Sequence, residues 1–311
     1  MVDEVVAEES ICESGVTGVP QLEIRQHHAG ARVAAARRTF FSTPGCSHQP
    51  SSCSRRECHD DAADVGGGNV TWHIGTSGWS YDHWGGVLYP DGLPVGRRRD
   101  VYSAEFDTVE LNASFYRWPS PKTFAGWRDR LPSGFLLSAK APQWLTHGRR
   151  LRDPEAWIER IVAGWHELGP RRAVLLTQLP PDMERDDARL DYFLGAVPDW
   201  IRVAVELRHP SWDHDDVYRI LEHHQAAYCV VSGADIPCVL RATTDIVYVR
   251  MHGPDHDHLY AGSYSDDNLR WWAERVREWH ATGHSVFVYF NNDGDGNAVR
   301  NARTLRGYLA R

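Results

Sequence analysis

Four pairs of polar residues stand two positions apart at the ends of short apolar runs: Glu110 with Asn112, Ser138 with Lys140, Glu206 with Arg208, and Arg250 with His252. In an extended chain, residues two apart share a face, so each pair points one way while neighbours such as Val109 and Leu111 point the other. Gln178, Ser232 and Asn291 end three further runs in the same manner. Two carboxylates in one partly desolvated space, Glu110 and Glu206, can split their pKa values so that one serves as acid and the other as base. Lys140, Arg208 and Arg250 can hold a phosphate or carboxylate, or stabilise developing negative charge. Glu110, Glu206, Lys140 and His252 are therefore the catalytic candidates. The competing reading is a structural ion-pair network, because buried Glu and Arg are tolerated only when paired.

Such residues share a cavity only if the fold gathers strand ends. From Val70 onward, β-branched runs alternate with longer amphipathic stretches, the pattern of parallel strands joined by crossover helices. Eight runs are expected as strands: Trp72–Ser77, Thr108–Asn112, Phe135–Lys140, Ala173–Gln178, Arg202–Glu206, Ala227–Ser232, Ile246–His252 and Ser285–Asn291. Helices are expected over Pro154–Leu168, with Trp157, Ile161 and Trp165 on one stripe, and over Asp266–Ala281, with Leu269, Trp272, Val276 and Trp279 together. Asp153 is the expected N-cap before Pro154, and Gly169 and Gly283 are expected stops. Eight units in about 240 residues fit a closed (β/α)₈ TIM-like barrel, whose sites form at the C-terminal strand ends. The rival, an open doubly wound sheet, calls for a G-x-G-x-x-G turn that Gly75-Thr76-Ser77-Gly78-Trp79 does not supply. The thinnest unit is the connection from Ser232 to Ile246, barely long enough for two helical turns.

Composition narrows the partners. A chain of 311 residues with 42% hydrophobic content can bury a sizeable core. Its net charge of -8 argues against a globally basic nucleic-acid clamp, while a local basic groove stays compatible with it. Six cysteines are too few for a disulfide scaffold, and no run of 18 apolar residues exists to cross a membrane, so a cytoplasmic location is expected. Trp79, Tyr81, Trp84, Phe115 and Tyr116 fall in the first two strand-to-helix loops, where they can stack on a sugar or nucleobase or form a lid on the barrel rim.

The segments GTSGWSYDHWGGVLYP (75–90), DTVELNASFYRWP (107–119), FLLSAKAP…TH (135–147), LLTQLPP (175–181), VAVELRHPSW (203–212), YVRMHG (248–253) and VYFNND (288–293) resemble the YecE-like family, the domain of unknown function 72. The resemblance covers about residue 72 to the C-terminus. It implies a TIM barrel and no established activity. Its motif positions fall on Trp79, Tyr81, Trp84, Glu110, Asn112, Phe115, Tyr116, Lys140, His147, Gln178, Glu206, Arg208, His209, Arg250, His252, Asn291 and Asn292. Substrate contacts are accordingly expected from Trp79, Tyr81, Asn112, Tyr116, Gln178, Arg208, His209, Arg250, Asn291 and Asn292.

No cofactor is assigned by these residues, and no metal site is expected. Cys46, His48, Cys53, Cys58 and His59 lack the tight C-x₂-C pair that presets two thiolates on one turn, so solvated coil is expected there instead of a zinc site. The His252–His258 stretch reads as a solvated loop. Asp293–Asn297 mimics a calcium loop, but Ala298 and Thr304 stand where glycine and glutamate are required. The same segment suits phosphate binding at a helix N-terminus, with Gly294 and Gly296 allowing close approach. Residues 1–69 show no apolar period and are expected to be a disordered or non-native extension, with translation starting near Val70. Within them, Arg37-Arg38 lacks the apolar stretch an export signal needs. The leading expectation is an acid/base enzyme, of hydrolase, isomerase or lyase type, acting on a polar, phosphorylated or nucleotide-derived small molecule. The alternative is a non-catalytic protein binding a ligand or nucleic acid in the same mouth.

Overall fold

The computed structural model describes residues 71–311 apart from 234, 235, 256 and 259. The expected extension over 1–69, with its arginine pair and its cysteine and histidine residues, lies outside the described residues.

Eight parallel strands form a single sheet: β1 (Trp72–Thr76), β2 (Thr108–Leu111), β3 (Leu136–Lys140), β4 (Arg172–Gln178), β5 (Val203–Glu206), β6 (Ala227–Ser232), β7 (Ile246–Met251) and β8 (Ser285–Phe290). Each pairs with its sequence neighbours, and β8 returns to β1 in the register Trp72↔Val286 to Thr76↔Phe290. The ring closes between β1 and β2 through a parallel bridge of Ser77 with Glu110, where Gly78 N–H donates to the Glu110 carbonyl at 2.7 Å. Gly75 makes this seam: a Cβ there would lie 2.4 Å from the Thr108 carbonyl oxygen, so any other residue would push the strands apart.

Helices α1 (Val95–Glu105), α2 (Ala113–Tyr116), α3 (Pro121–Arg130), α4 (Glu155–His166), α5 (Asp187–Ala196), α6 (Asp215–His223), α7 (Asp266–Ala281) and α8 (Asn297–Leu309) occupy the connections. The sixth connection departs from the expected repeat, with no helix among its described residues. With so few residues and Pro237 among them, Cys238, Val239, Leu240 and Ala242 pack against the core as irregular chain. In α7 the buried face is Leu269, Trp272, Ala273 and Val276, with Ser265 capping it by accepting from Asn268 N–H at 3.2 Å. The N-cap of α4 differs from expectation: Pro154 holds that position, while Asp153 has φ 43° and pairs with Arg149 at 2.7 Å. Its buried face runs through Ile158, Ile161 and Trp165, which leaves Trp157 on the rim.

Period-two alternation sorts every strand into two apolar layers. Val109, Leu111, Leu137, Ala139, Val247 and Val249 face the helices. Val174, Leu176, Ala204, Cys229, Tyr248 and Tyr289 fill the interior. Partway up that interior, Tyr289 OH lies 2.6 Å from Thr108 Oγ1 and 3.0 Å from Ser138 Oγ. A hydrogen-bonded floor therefore sits beneath the C-terminal strand ends.

Candidate active site

Above that floor, the inward positions of β2, β5 and β7 meet in one network. Arg250 is fully buried and forks onto Glu110, with Nη2 donating to Oε1 at 2.7 Å and Nε to Oε2 at 3.0 Å. Its Nη1 donates to Glu206 Oε2 at 2.6 Å, so one guanidinium holds two carboxylates that approach from different strands. Glu110 also accepts from Ser77 Oγ at 2.6 Å and Tyr248 OH at 2.7 Å. Glu206 also accepts from Gln178 Nε2 and Arg208 Nε, each at 2.7 Å. Arg208 continues to the Tyr260 hydroxyl at 2.9 Å.

The expected split of the two carboxylates does not occur; both move the same way. Burial by itself would raise Glu110, but the charge and hydrogen bonds of Arg250, with Ser77 and Tyr248, outweigh it and leave its pKa lowered. Burial opposes ionisation of Glu206 as well, and there Arg250, Arg208 and His252 bring the pKa well below the usual carboxylate value. Both are therefore fixed anions, because each has a guanidinium in contact. His252 is driven down to about 4, first by burial and then by Arg250. Asn291 Nδ2 is 3.3 Å from His252 Nδ1; with that amide donating, the neutral ring carries its proton on Nε2, 3.4 Å from Glu206 Oε1.

Lys140 is the exception. It ends β3 with a relative exposure of 7%, yet its amine makes no hydrogen bond or ion pair among the described residues. Its Nζ lies 4.0 Å from the centroid of the Phe115 ring and is not among the sealed-off unpaired atoms. The Ser114 hydroxyl, 2.7 Å from the Lys140 carbonyl and 2.6 Å from that of Leu111, ties α2 to β3 and sets Phe115 beside the amine. Burial, then the positive charge of Arg250, pushes the Lys140 pKa down to about 7, against a smaller opposing pull from Glu206 and Glu110. Lys122 and Lys140 are the only lysines in the sequence, and Lys122 is exposed on α3.

The remaining expected residues divide. Tyr81 donates to the Ser77 carbonyl at 2.7 Å and has Asn112 within hydrogen-bonding reach, so both belong to the β1–β2 edge of the mouth. Tyr116 is 79% exposed on the rim. Trp79 instead packs edge-on to Tyr102 and Trp127, between β1 and the helices. His209 caps the short turn Pro210–Trp212 through Ser211 N–H. Asn292 is turned outward, donating to Gly262 O at 2.9 Å and Asn301 Oδ1 at 2.8 Å, since it is the odd neighbour of inward Asn291. Ser232 likewise faces outward to Tyr264 OH at 3.1 Å, and β6 presents Val231 inward. Ser77, Tyr248 and Tyr289 were not singled out from the sequence, although stepping back two positions from Arg250 and Asn291 finds both tyrosines. Tyr260, which packs against His252, comes from a loop and has no periodic signal.

The loop after β8 is occupied by its own contacts. Asp293 accepts from Trp84 Nε1 at 2.6 Å and sits 3.0 Å from His83 Nε2, which ties this loop to the one after β1. Gly296 packs against Val87, and its N–H is directed to the Asp293 carbonyl at 3.3 Å, so its glycine backbone is not open to a phosphate. In the loop after β7, Asp255 accepts from the backbone N–H groups of Asp257 and His258 at 2.9 and 3.0 Å, the bonding of a self-contained turn. No group of three His, Cys, Asp or Glu arranged to hold a metal occurs among the described residues. Beside the mouth, a groove of about 620 Å³ runs between Tyr116, Trp118, Trp144 and Trp157, with Arg117 and Arg160 on its edges. It shares Phe115 and His147 with the surroundings of Lys140 but does not reach the amine itself.

Seven ordered motifs, at the ends of seven of the eight strands, invite comparison with known proteins. The family described as "Protein of unknown function DUF72" matches residues 73–311. The chain belongs to the DUF72 family. UPF0759 protein YunF of Bacillus subtilis is 28% identical over 268 residues, covering 75% of this chain and 93% of the relative. A DUF72 family protein solved from Thermotoga maritima is 29% identical, with a TM-score of 0.69 over 78% of this chain and 100% of its own. Another DUF72 structure, from Enterococcus faecalis, has the same TM-score at 18% identity over 78% of this chain and 96% of its own, a likeness of fold alone. The DUF72 match begins at the first barrel strand and includes every strand-end residue of the network.

Proposed function

We propose that the barrel mouth is an enzyme active site that carries out proton transfer, in a hydrolase-, isomerase- or lyase-type reaction, on a polar anionic small molecule. Sugar phosphates, nucleotides and carboxylic acids carry the anionic group such a site would hold. One observation carries this reading: the buried Lys140 amine stands in the mouth with no hydrogen-bond or ion-pair partner among the described residues, while Glu110, Glu206, Arg208 and Arg250 are all paired. Two carboxylates and two guanidiniums cancel, so protonated Lys140 is the uncompensated positive charge and draws an anion. With its pKa near 7, the amine takes and returns a proton at neutral pH. Arg208 orients the anion, and Glu110 and Glu206 stay ionised to hold Arg250 and shape the field. Neutral His252 offers a polar N–H rather than a charge.

A thermal-shift screen of sugar phosphates, nucleotides, small carboxylates and short oligonucleotides tests this. At least one anionic small molecule should raise the melting temperature of the wild type and lose that effect in Lys140→Met and Arg208→Met. Stabilisation by oligonucleotides alone, unaffected by Lys140→Met, would replace this reading with a nucleic-acid-binding one. The exposed rings of Tyr116 and Trp144 beside Arg117 and Arg160 give that alternative its footing.

A further inference from the structure

We infer that Lys140 is a covalent nucleophile, and that the mouth takes a carbonyl compound carrying a carboxylate, a 2-oxo acid or an aldehyde acid, which it binds as an imine. This rests on the active-site reading above and names the substrate class for it. Proton transfer alone would be served by a paired lysine; three features point further. The amine makes no hydrogen bond or ion pair among the described residues, and its nitrogen is not sealed off. It stands against the Phe115 ring, an apolar wall centred 4.0 Å from Nζ that gives it no acceptor. Arg208 commits Nε to Glu206 and Nη2 to Tyr260, and its Nη1 makes no hydrogen bond among the described residues, leaving a donor for the carboxylate of such a substrate.

The step balances without any redox partner. Neutral Lys140 Nζ attacks the carbonyl carbon, the C=O π pair moves to oxygen, and an amine proton passes to that oxygen to give the carbinolamine. A second proton, taken from the medium, goes to the hydroxyl, which departs as water while the nitrogen lone pair forms C=N. The product is an iminium whose positive charge faces Glu206 and Glu110, both of which are close enough to act on Lys140 electrostatically. Burial that disfavours the ammonium leaves about half of the amine neutral, and able to attack, at pH 7.

The sequence offers an internal control, since Lys122 and the α-amino group are the only other amines. The full chain is incubated at pH 7 with pyruvate or glyoxylate and sodium cyanoborohydride, and the reduced adducts are mapped by mass spectrometry. An amine with pKa about 7 is half neutral at pH 7, whereas an ordinary lysine is neutral about once in 2,500 molecules. The expected result is labelling of Lys140 at least about tenfold faster than Lys122, and slower labelling with propionaldehyde, which lacks the carboxylate. Lys140→Arg, with its melting temperature checked, should abolish only the Lys140 adduct. Equal or faster labelling of Lys122, or no Lys140 adduct, overturns the inference. Competitive acetylation across pH 6–9 separates the two readings. If Lys140 titrates near pH 7 and forms no imine, the covalent role fails and the proton-transfer site stands. If it titrates as an ordinary lysine, both fail.

Discussion

Two groups of charges in the barrel mouth are treated in opposite ways. Across β2, β5 and β7, Glu110, Arg250, Glu206 and Arg208 form a chain in which each carboxylate accepts several hydrogen bonds and each guanidinium meets a carboxylate. At the end of β3, the Lys140 amine stands against an aromatic ring and makes no ion pair among the described residues, with only the weaker pull of Glu206 and Glu110. Burying a charge costs several kcal/mol unless it is paired. The first group recovers that cost within the fold and the second does not. Saturated charges here read as architecture, and the unsaturated one as chemistry.

The contrast is broken most severely by Arg250→Met, which leaves two carboxylates buried without their common partner. A loss of about 3–5 kcal/mol is expected in urea unfolding, large enough to prevent soluble expression. The same pairing sets an acid limit. Folding lowers the pKa of Glu110 and Glu206, so their contribution is complete above the unfolded value near 4.3 and disappears as pH falls through the depressed folded values.

Lys140→Met sharpens the contrast from the other side. The folded pKa of about 7 lies below the unfolded value near 10.4, so the unfolded chain binds more protons between them, and stability rises with pH across that window. Removing the amine should therefore stabilise the protein, by about 2–4 kcal/mol at pH 7, with the gain shrinking toward pH 10 while ligand response is lost. Urea melts at pH 7 and pH 10 provide the check; destabilisation at pH 7 would show that Lys140 is paired after all.

His252 predicts a smaller effect in a separate window. Its folded pKa of about 4 lies below the unfolded value near 6.5, so stability falls as pH drops from 6.5 to 4. His252→Gln should flatten that slope by up to about 3 kcal/mol in melts at pH 7 and pH 4.5. Least of all, Tyr248→Phe removes one of several donors to Glu110 and should cost about 1–2 kcal/mol, with Lys140 labelling unchanged.

Much of this was legible in the sequence because a strand's period of two is strict. Once eight runs were recognised, Glu110, Lys140, Glu206, Arg250 and His252 had to share the interior face near one end. The same rule separates Asn291 from Asn292 and Val231 from Ser232, yet motif membership added Asn292 to Asn291, and polarity picked Ser232 in place of Val231. Loops follow no period, so Tyr260, the outward packing of Trp79 and the capping role of His209 had no sequence signal. That the sixth connection has no helix among its described residues was foreshadowed only by its shortness. Partner choice was also hidden: the sequence places two acids and three bases at one rim, but not which base goes without an acid.

The fork between Glu110 and Arg250 joins residues 140 positions apart. Contacts of such separation form late in folding, after most of the loop-closure entropy has been lost. Until β7 arrives, a partial barrel would hold Glu110 and Glu206 in an apolar interior with no cation from β7, so incomplete rings are penalised. Ring closure and maturation of the mouth are thus one cooperative event, and a chain truncated before β7 should yield no soluble intermediate.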